Sequence, residues 1–237
     1  MKKLGMLIAT GLISLSLQGQ KIIEKNIAYS NQTVDLDVKF ASDIEVKTWD
    51  KSTVYFKAEI FVKEEGYQDL YRLDVRENSS TISISSDADA LLKALHKLWE
   101  KEDSNGRRRH YITSNLYEFN YVLYVPKKAR FTVSSINGDL RSELIQGEFT
   151  ADLINGNIDI KKYNGNMDLK TINGEIDLVI RDSRLYAETI HGLIYADEDL
   201  NLKVTDRHVG QKVEGNLGNA TYRLKLDTIN GNMYLRL

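Results

Sequence analysis

The chain has 237 residues, enough for one large or two small domains with a sizeable core, and its 42% apolar and 28% charged residues exclude a disordered or collagen-like chain. With no cysteine, the sequence excludes disulfides, thiolate metal sites, a cysteine nucleophile and a lipid-modified N-terminal cysteine. A formal net charge of −2 gives no nucleic-acid footprint, and one proline against 15 glycines and 13 tyrosines leans toward strands joined by glycine turns.

Residues 1–19 read as a secretory signal peptide. Lys2 and Lys3 precede an apolar run from Leu4 to Leu17, and Gln18-Gly19-Gln20 leads into polar sequence, with cleavage expected after Gly19. The run is short for a bilayer helix, and no other segment is apolar enough to cross as one. Removing Lys2 and Lys3 leaves 30 basic against 34 acidic residues, a net charge of −4. The expected location is secreted: the periplasm or the surface of a bacterium.

Residues 20–130 form a β-rich N-terminal part. Val34, Leu36, Val38 and Phe40 alternate with polar residues, as do Val54, Phe56, Ala58, Ile60 and Val62, and Ile82 with Ile84. Between 87 and 102 the period changes. Leu91, Leu92, Leu95, Leu98 and Trp99 share a helical face, and Ser86 or Asp87 can cap it. A polar loop at 103–110 follows, then an aromatic β-rich run from Leu116 to Val125, closed by Pro126.

Residues 131–237 carry a beat. Gly138, Gly147, Gly156, Gly165 and Gly174 are nine apart, and Gly192 and Gly210 stay in phase; Asn137, Asn155, Asn164 and Asn173 each precede a glycine. Asn-Gly is a strong hairpin signal, so an antiparallel meander is one reading. The two interleaved sets differ, however. Gly138, Gly156, Gly174, Gly192 and Gly210 persist, whereas the alternate set decays to Ser183, Asn201 and Asn219. A unit of eighteen residues with two dissimilar corners predicts a parallel β-solenoid. Residues eighteen apart then stack at about 4.8 Å. Ile158, Ile176 and Ile194 form one interior ladder, Ile154, Ile172 and Ile190 another, and the asparagines stack at a corner, at positive φ, with amides bonded between coils. Asn230-Gly231 falls about three residues out of phase, which a loop inserted near Thr205–Gly218 accounts for. The last strand, 232–237, is expected at a free edge.

The run Leu123-Tyr124-Val125-Pro126-Lys127, followed by Phe131-Thr132-Val133-Ser134-Ser135-Ile136-Asn137-Gly138-Asp139-Leu140, resembles the bacterial putative-adhesin family of unknown function, of the "head GIN" kind. Ser42 to Asp50 with Val54-Tyr55-Phe56 is similar to that family's opening strands, and Thr228 to Leu235 to its close. The resemblance covers roughly 33–237. It implies a secreted or envelope protein folded as a right-handed single-stranded β-helix, and it brings no catalytic residue.

Candidate chemistry is sparse. A calcium-binding nonapeptide roll needs further glycines that are missing here, and Asp159, Asp168 and Asp177 read as outward residues on strands, with Lys161 and Lys170 nearby to offset their charge. No acid stands out as half of a glycosidase pair. His96, His110, His191 and His208 lack metal-ligand spacing, and no cofactor is expected. Arg107, Arg108, Arg109 and His110, beside Tyr111, Tyr117, Phe119 and Tyr121, form the candidate ligand site, suited to an anionic glycan or lipid headgroup. The sequence therefore predicts a non-enzymatic all-β solenoid with one inserted helix, binding a glycan, an envelope component or a protein partner through its faces. The alternatives are an envelope scaffold or stress-sensing module pairing through a free β edge, which also allows oligomers, and a polysaccharide-active enzyme.

Overall fold

A computed structural model describes residues 14–17, 20–99, 116–206 and 209–237. The first part of the chain contains β1 (Ser14–Leu17), β2 (Gln20–Ala28), β3 (Thr33–Asp37), β4 (Phe40–Trp49), β5 (Thr53–Val62), β6 (Arg72–Glu77), β7 (Thr81–Asp87) and α1 (Asp89–Trp99). After it come β8 (Tyr117–Pro126), β9 (Ala129–Ser142), β10 (Ile145–Asn155), β11 (Ile158–Ile160), β12 (Tyr163–Asn164), β13 (Met167–Asn173) and β14 (Ile176–Val179). The last are β15 (Ser183–Thr189), β16 (Ile194–Ala196), β17 (Lys203–Asp206), β18 (Gln211–Asn216), β19 (Tyr222–Asn230) and β20 (Met233–Arg236). The protein is all-β, with the inserted helix where its period predicts. Asp87 is the residue that caps α1, accepting the Asp89 N–H at 3.0 Å, and Leu91 and Leu95 are buried.

β9 is the hinge between two rows of strands. Its first half joins the order β6–β7–β3–β9–β10–β13–β19–β15–β18–β17, and its second half joins β1–β2–β5–β8–β4–β9–β11–β14–β20–β16. The bend falls at Gly138, whose φ of 124° suits glycine. Side chains that alternate inward from both rows bury one core: Val133, Ala151, Leu169 and Leu226 from the first, Leu140, Ile158, Ile176 and Met233 from the second, all at most 1% exposed. Each large aliphatic residue so buried contributes about 1.5–3 kcal/mol.

The eighteen-residue beat is real over three rungs. β9, β10 and β13 pair in parallel with Asn137, Asn155 and Asn173 in register, and β11 and β14 continue the same offset. The whole sheet is mixed, though. β2–β5, β5–β8, β6–β7, β15–β18 and β17–β18 are antiparallel, so a single parallel coil does not describe the chain.

Beyond Gly174 the expected order fails. Ile176 pairs with Met233, and Met233 in turn with Ile194: the C-terminal segment β19–β20 lies between the rung of 167–179 and the rung of 183–196. Asn173 and Asn230 are 57 residues apart, three more than three units of eighteen, which is the phase slip seen in the sequence. The segment that fills the detour is largely a hairpin, β17–β18, laid antiparallel on β15, and Gly210 sits in it with φ 82° instead of at a repeat corner. The last strand is thus interior to the second row, which among the described strands ends at β16.

Two further expectations need correction. Ile154 and Ile190 are 38% and 40% exposed and Ile172 is half-buried, because the preceding residues Leu153, Thr189 and Thr171 take the inward places on their strands. The corner asparagines do bond between rungs, but none of the positive-φ residues is one of them. Their amides run Asn155 to Asn137 at 3.0 Å, Asn173 to Asn155 at 2.7 Å and Asn230 to Asn173 at 2.7 Å. Asn164, of the Asn164-Gly165 turn, instead accepts a hydrogen bond from the Tyr222 hydroxyl.

At each corner the glycine is required by contact more than by φ. A Cβ on Gly156 would overlap the Gly138 carbonyl oxygen, and the same holds for Gly174 on Gly156, Gly231 on Gly174, Gly192 on Gly231, and Gly165 on Gly147. Gly174→Ala should therefore cost about 3 kcal/mol, the upper end of overpacking, whereas Gly66→Ala, with open space around it and only a φ of 86° to strain, should cost about 1–2 kcal/mol. Urea unfolding midpoints of the two variants check this ordering.

A buried tyrosine pair links the N-terminal strands to the segment before β6. Tyr71 and Tyr121 hydroxyls lie 3.1 Å apart, and burial pushes the Tyr71 phenol far up and the Tyr121 phenol up to about 12. Unfolded tyrosines ionise near 10. Above about pH 10 the unfolded chain releases protons that the folded chain keeps, so stability should fall with rising pH; below it this pair leaves stability flat. Urea midpoints compared between pH 8 and 11 (roughly one unit above the free phenol) should show the drop, and Tyr71→Phe should lessen it.

Candidate functional site

The basic loop at Arg107, Arg108, Arg109 and His110 lies outside the described residues, as do residues 1–13, Tyr111 and His208. Of the aromatic residues expected to flank that loop, Phe119 and Tyr121 are core side chains, and Tyr117 stacks on Phe119 at 4.9 Å. Phe119 and Tyr121 are thus enclosed, and Tyr117 is half-buried. Asp159, Asp168 and Asp177 do face outward, and Lys161 bonds Asp159 at 2.7 Å. Lys225, from the inserted strand, is the cation 3.7 Å from Asp168, in place of Lys170.

The outer face of the second row carries the chemistry instead. Outward positions alternate with core positions, so one cross-strand line reads Lys57, Val122, Glu45, Arg141, Asp159, Asp177, Tyr234 and Tyr195. At its far end Tyr195 and Tyr234 stack with ring centroids 5.4 Å apart and planes 10° from parallel. Tyr195 is 49% exposed and belongs to β16, beyond which no described strand pairs. Its outer ring face is therefore open. The two rings, with Ala196, Asp197, Leu235 and Arg236, line a shallow depression of about 240 Å³. Tyr234 is oriented by Glu175, which accepts its hydroxyl hydrogen at 3.2 Å. Arg236 holds Asp177 through two hydrogen bonds, at 2.9 and 2.6 Å, and this contact raises the guanidinium's pKa.

A second aromatic group lies near the other end of the same face. Trp49, Tyr55 and Tyr124 form a triangle with centroids 4.8, 5.7 and 6.2 Å apart. Lys51 lies 4.5 Å above the Trp49 ring, and Lys47 lies 5.4 Å from the Tyr124 ring centre. The Trp49 indole N–H donates to the Thr53 carbonyl at 2.8 Å, which fixes the ring. Tyr55 donates to Glu24 at 2.9 Å, and burial first, then this bond, push its phenol up to about 12.

Between the aromatic groups lie four ion pairs: Lys47–Glu45 at 2.9 Å, Arg141–Asp43 at 2.9 Å, Lys161–Asp159 at 2.7 Å and Arg236–Asp177 at 2.6 Å. Exposed pairs of this kind add about 0–1 kcal/mol each to stability. Their effect is to hold carboxylates in fixed orientations on an open surface.

Half of the aromatic surface carries a signal in the sequence. Tyr55 stands between Val54 and Phe56, and Tyr124 between Leu123 and Val125, so strand alternation already places both outward. Tyr234 and Tyr195 come together only through the inserted strand.

Among the described residues, no helix is long and apolar enough to cross a membrane. No protein-family model matches the chain, and no curated protein matches it. A solved structure of a "putative cell adhesion protein" from Clostridium sporogenes is similar, with 10% identity and a TM-score of 0.54, covering 93% of this chain and 99% of that chain. Weaker likenesses are a "putative lipid binding protein" from Parabacteroides distasonis, with 10% identity, 92% and 96% coverage and a TM-score of 0.33, and a "putative adhesin" from Parabacteroides merdae, with 11% identity, 74% and 68% coverage and a TM-score of 0.28. The chain shares the fold of the first of these.

Proposed function

We propose that this chain is a non-enzymatic interaction protein of the cell exterior or envelope that binds a glycan through the outer face of its second row of strands. The observation that carries the reading is the parallel Tyr195–Tyr234 stack with one open ring face beside a shallow depression that Asp197 and Arg236 help to line. A pyranose ring presents C–H groups on its faces and hydroxyls on its rim, so it suits a flat aromatic surface edged by oriented carboxylates and guanidinium groups. The name of the Clostridium structure supports an adhesive role, and the leader-like residues 1–19 support export. The eighteen-residue rungs support a right-handed β-helix of the kind the family resemblance implies, interrupted by the hairpin and the inserted strand.

The strand-pairing alternative has less behind it. β16 has three residues, and the Gln211 side chain accepts its Ile194 N–H at 2.7 Å, which blunts the edge for strand addition.

A glycan array probed with the purified full chain tests the proposal. Retention on at least one glycan is expected, with Tyr195→Ala weakening it by about tenfold and Tyr195→Phe preserving it, since the ring and not the hydroxyl makes the contact. A blank array, or equal binding by Tyr195→Ala, contradicts the proposal.

A further inference from the structure

We infer that the glycan is an extended, uncharged polysaccharide lying across the strands from the Tyr195–Tyr234 stack toward the Trp49–Tyr55–Tyr124 group. This rests on the glycan reading and narrows it: a short terminal sugar would need only one of the two groups.

The geometry supplies the length. Tyr234 is on β20 and Tyr124 on β8, with β14, β11, β9 and β4 between them, all parallel-paired in one continuous run. Five strand steps at about 4.8 Å separate the two groups by roughly 24 Å. The single strand step of about 4.8 Å is close to the length of one pyranose ring in an extended chain, so one sugar can sit over each strand. Tyr124 is offset from the Tyr234 line by one outward position along the strand and Trp49 by two, since Tyr124 registers with Lys47 and the line with Glu45. The path is a shallow diagonal.

The charges supply the class. Four carboxylates along the path, on Glu45, Asp43, Asp159 and Asp177, each have a cation within 2.9 Å, while Glu175 and Asp197, at the stack, accept hydrogen bonds from the Tyr234 hydroxyl and the Leu237 N–H. A polyanion would meet four carboxylates and a polycation four cationic side chains, and either would have to break these pairs. Hydroxyl groups can bond to them as they stand, because an ion-paired carboxylate keeps free lone pairs and a guanidinium keeps free N–H groups. The surface therefore discriminates against charged chains and rewards a neutral one.

Affinity electrophoresis of the full chain through gels containing starch, a 1,4-linked β-glucan, xylan, mannan or alginate tests the inference, followed by titration with oligomers of whichever neutral polymer retards it. Retardation by a neutral polymer is expected, with affinity rising at least about tenfold from the disaccharide to the hexasaccharide. Trp49→Ala and Tyr195→Ala should each weaken hexasaccharide binding by about tenfold. Asp159→Ala, an exposed position between the two groups, should weaken it too and serves if Trp49→Ala does not fold. Equal affinity for disaccharide and hexasaccharide, or hexasaccharide binding indifferent to both Trp49→Ala and Asp159→Ala, overturns the extended path while leaving the glycan reading intact. Retardation by alginate alone overturns the neutral class. No retardation by any polymer overturns the glycan reading itself.

Discussion

Where the glycine of one rung rests against the carbonyl oxygen of the glycine beneath it, there is no room for a Cβ, and that contact helps set the register of the rungs on which the rest of the repeat region depends. It runs Gly138, Gly156, Gly174, Gly231, Gly192. Since strand side chains alternate, a slip of one residue would turn the core outward. The corner prevents the slip twice over: by steric contact on the backbone, and by the asparagine amides that bond one rung to the next. Thr171, Thr228 and Thr189 add a buried hydroxyl to each corner, donating to the carbonyl oxygens of Gly156, Gly174 and Gly231. Such backbone-level registration is what lines up outward residues into rows long enough to act as a surface.

The inserted C-terminal strand turns that registration into a specific surface. It brings Tyr234 between Asp177 and Tyr195, and Arg236 onto Asp177. A chain whose rungs followed one another in sequence order would place Tyr195, and not Tyr234, directly against Asp177, and would keep Arg236 away from it. The insertion also supplies Leu224, Leu226, Met233 and Leu235 to the core, so the strand nearest the chain end is among the better buried. Its pairings span long stretches of sequence, and closing such loops is slow; the rung of 183–196 has no partner on its inner side until β19–β20 arrives.

The eighteen-residue beat, the alternating strands, the helix near 87–102 and the stacking of Asn137, Asn155 and Asn173 were all legible, because each depends on local pattern. The order of rungs was not. Gly192 and Ile194 carry the same corner motif as Gly174 and Ile176, so phase alone pairs them, and nothing local tells that Asn230-Gly231, three residues out of step, takes the place between. Ile154 was misplaced for a related reason: counting in twos across an Asn-Gly corner carries the parity through a bend that resets it. The functional surface was half legible. Outward tyrosines at 55 and 124 follow from alternation, while the Tyr195–Tyr234 stack needs the inserted strand.

The arrangement of rungs around the inserted strand is open to a direct chemical test, since the chain contains no native cysteine to interfere. Asp168 faces outward next to Lys225 across β13 and β19, and Lys225 faces Tyr186 across β19 and β15. Disulfides need Cα atoms within about 7 Å, which adjacent strands satisfy and strands two steps apart do not. Air oxidation of the double variant Asp168→Cys/Lys225→Cys should give an intramolecular disulfide, and Asp168→Cys/Tyr186→Cys should stay reduced. A disulfide in the second variant, with the first left reduced, would mean that the rungs stack in sequence order and that the row running from Asp177 through Tyr234 to Tyr195 is not the one the protein presents.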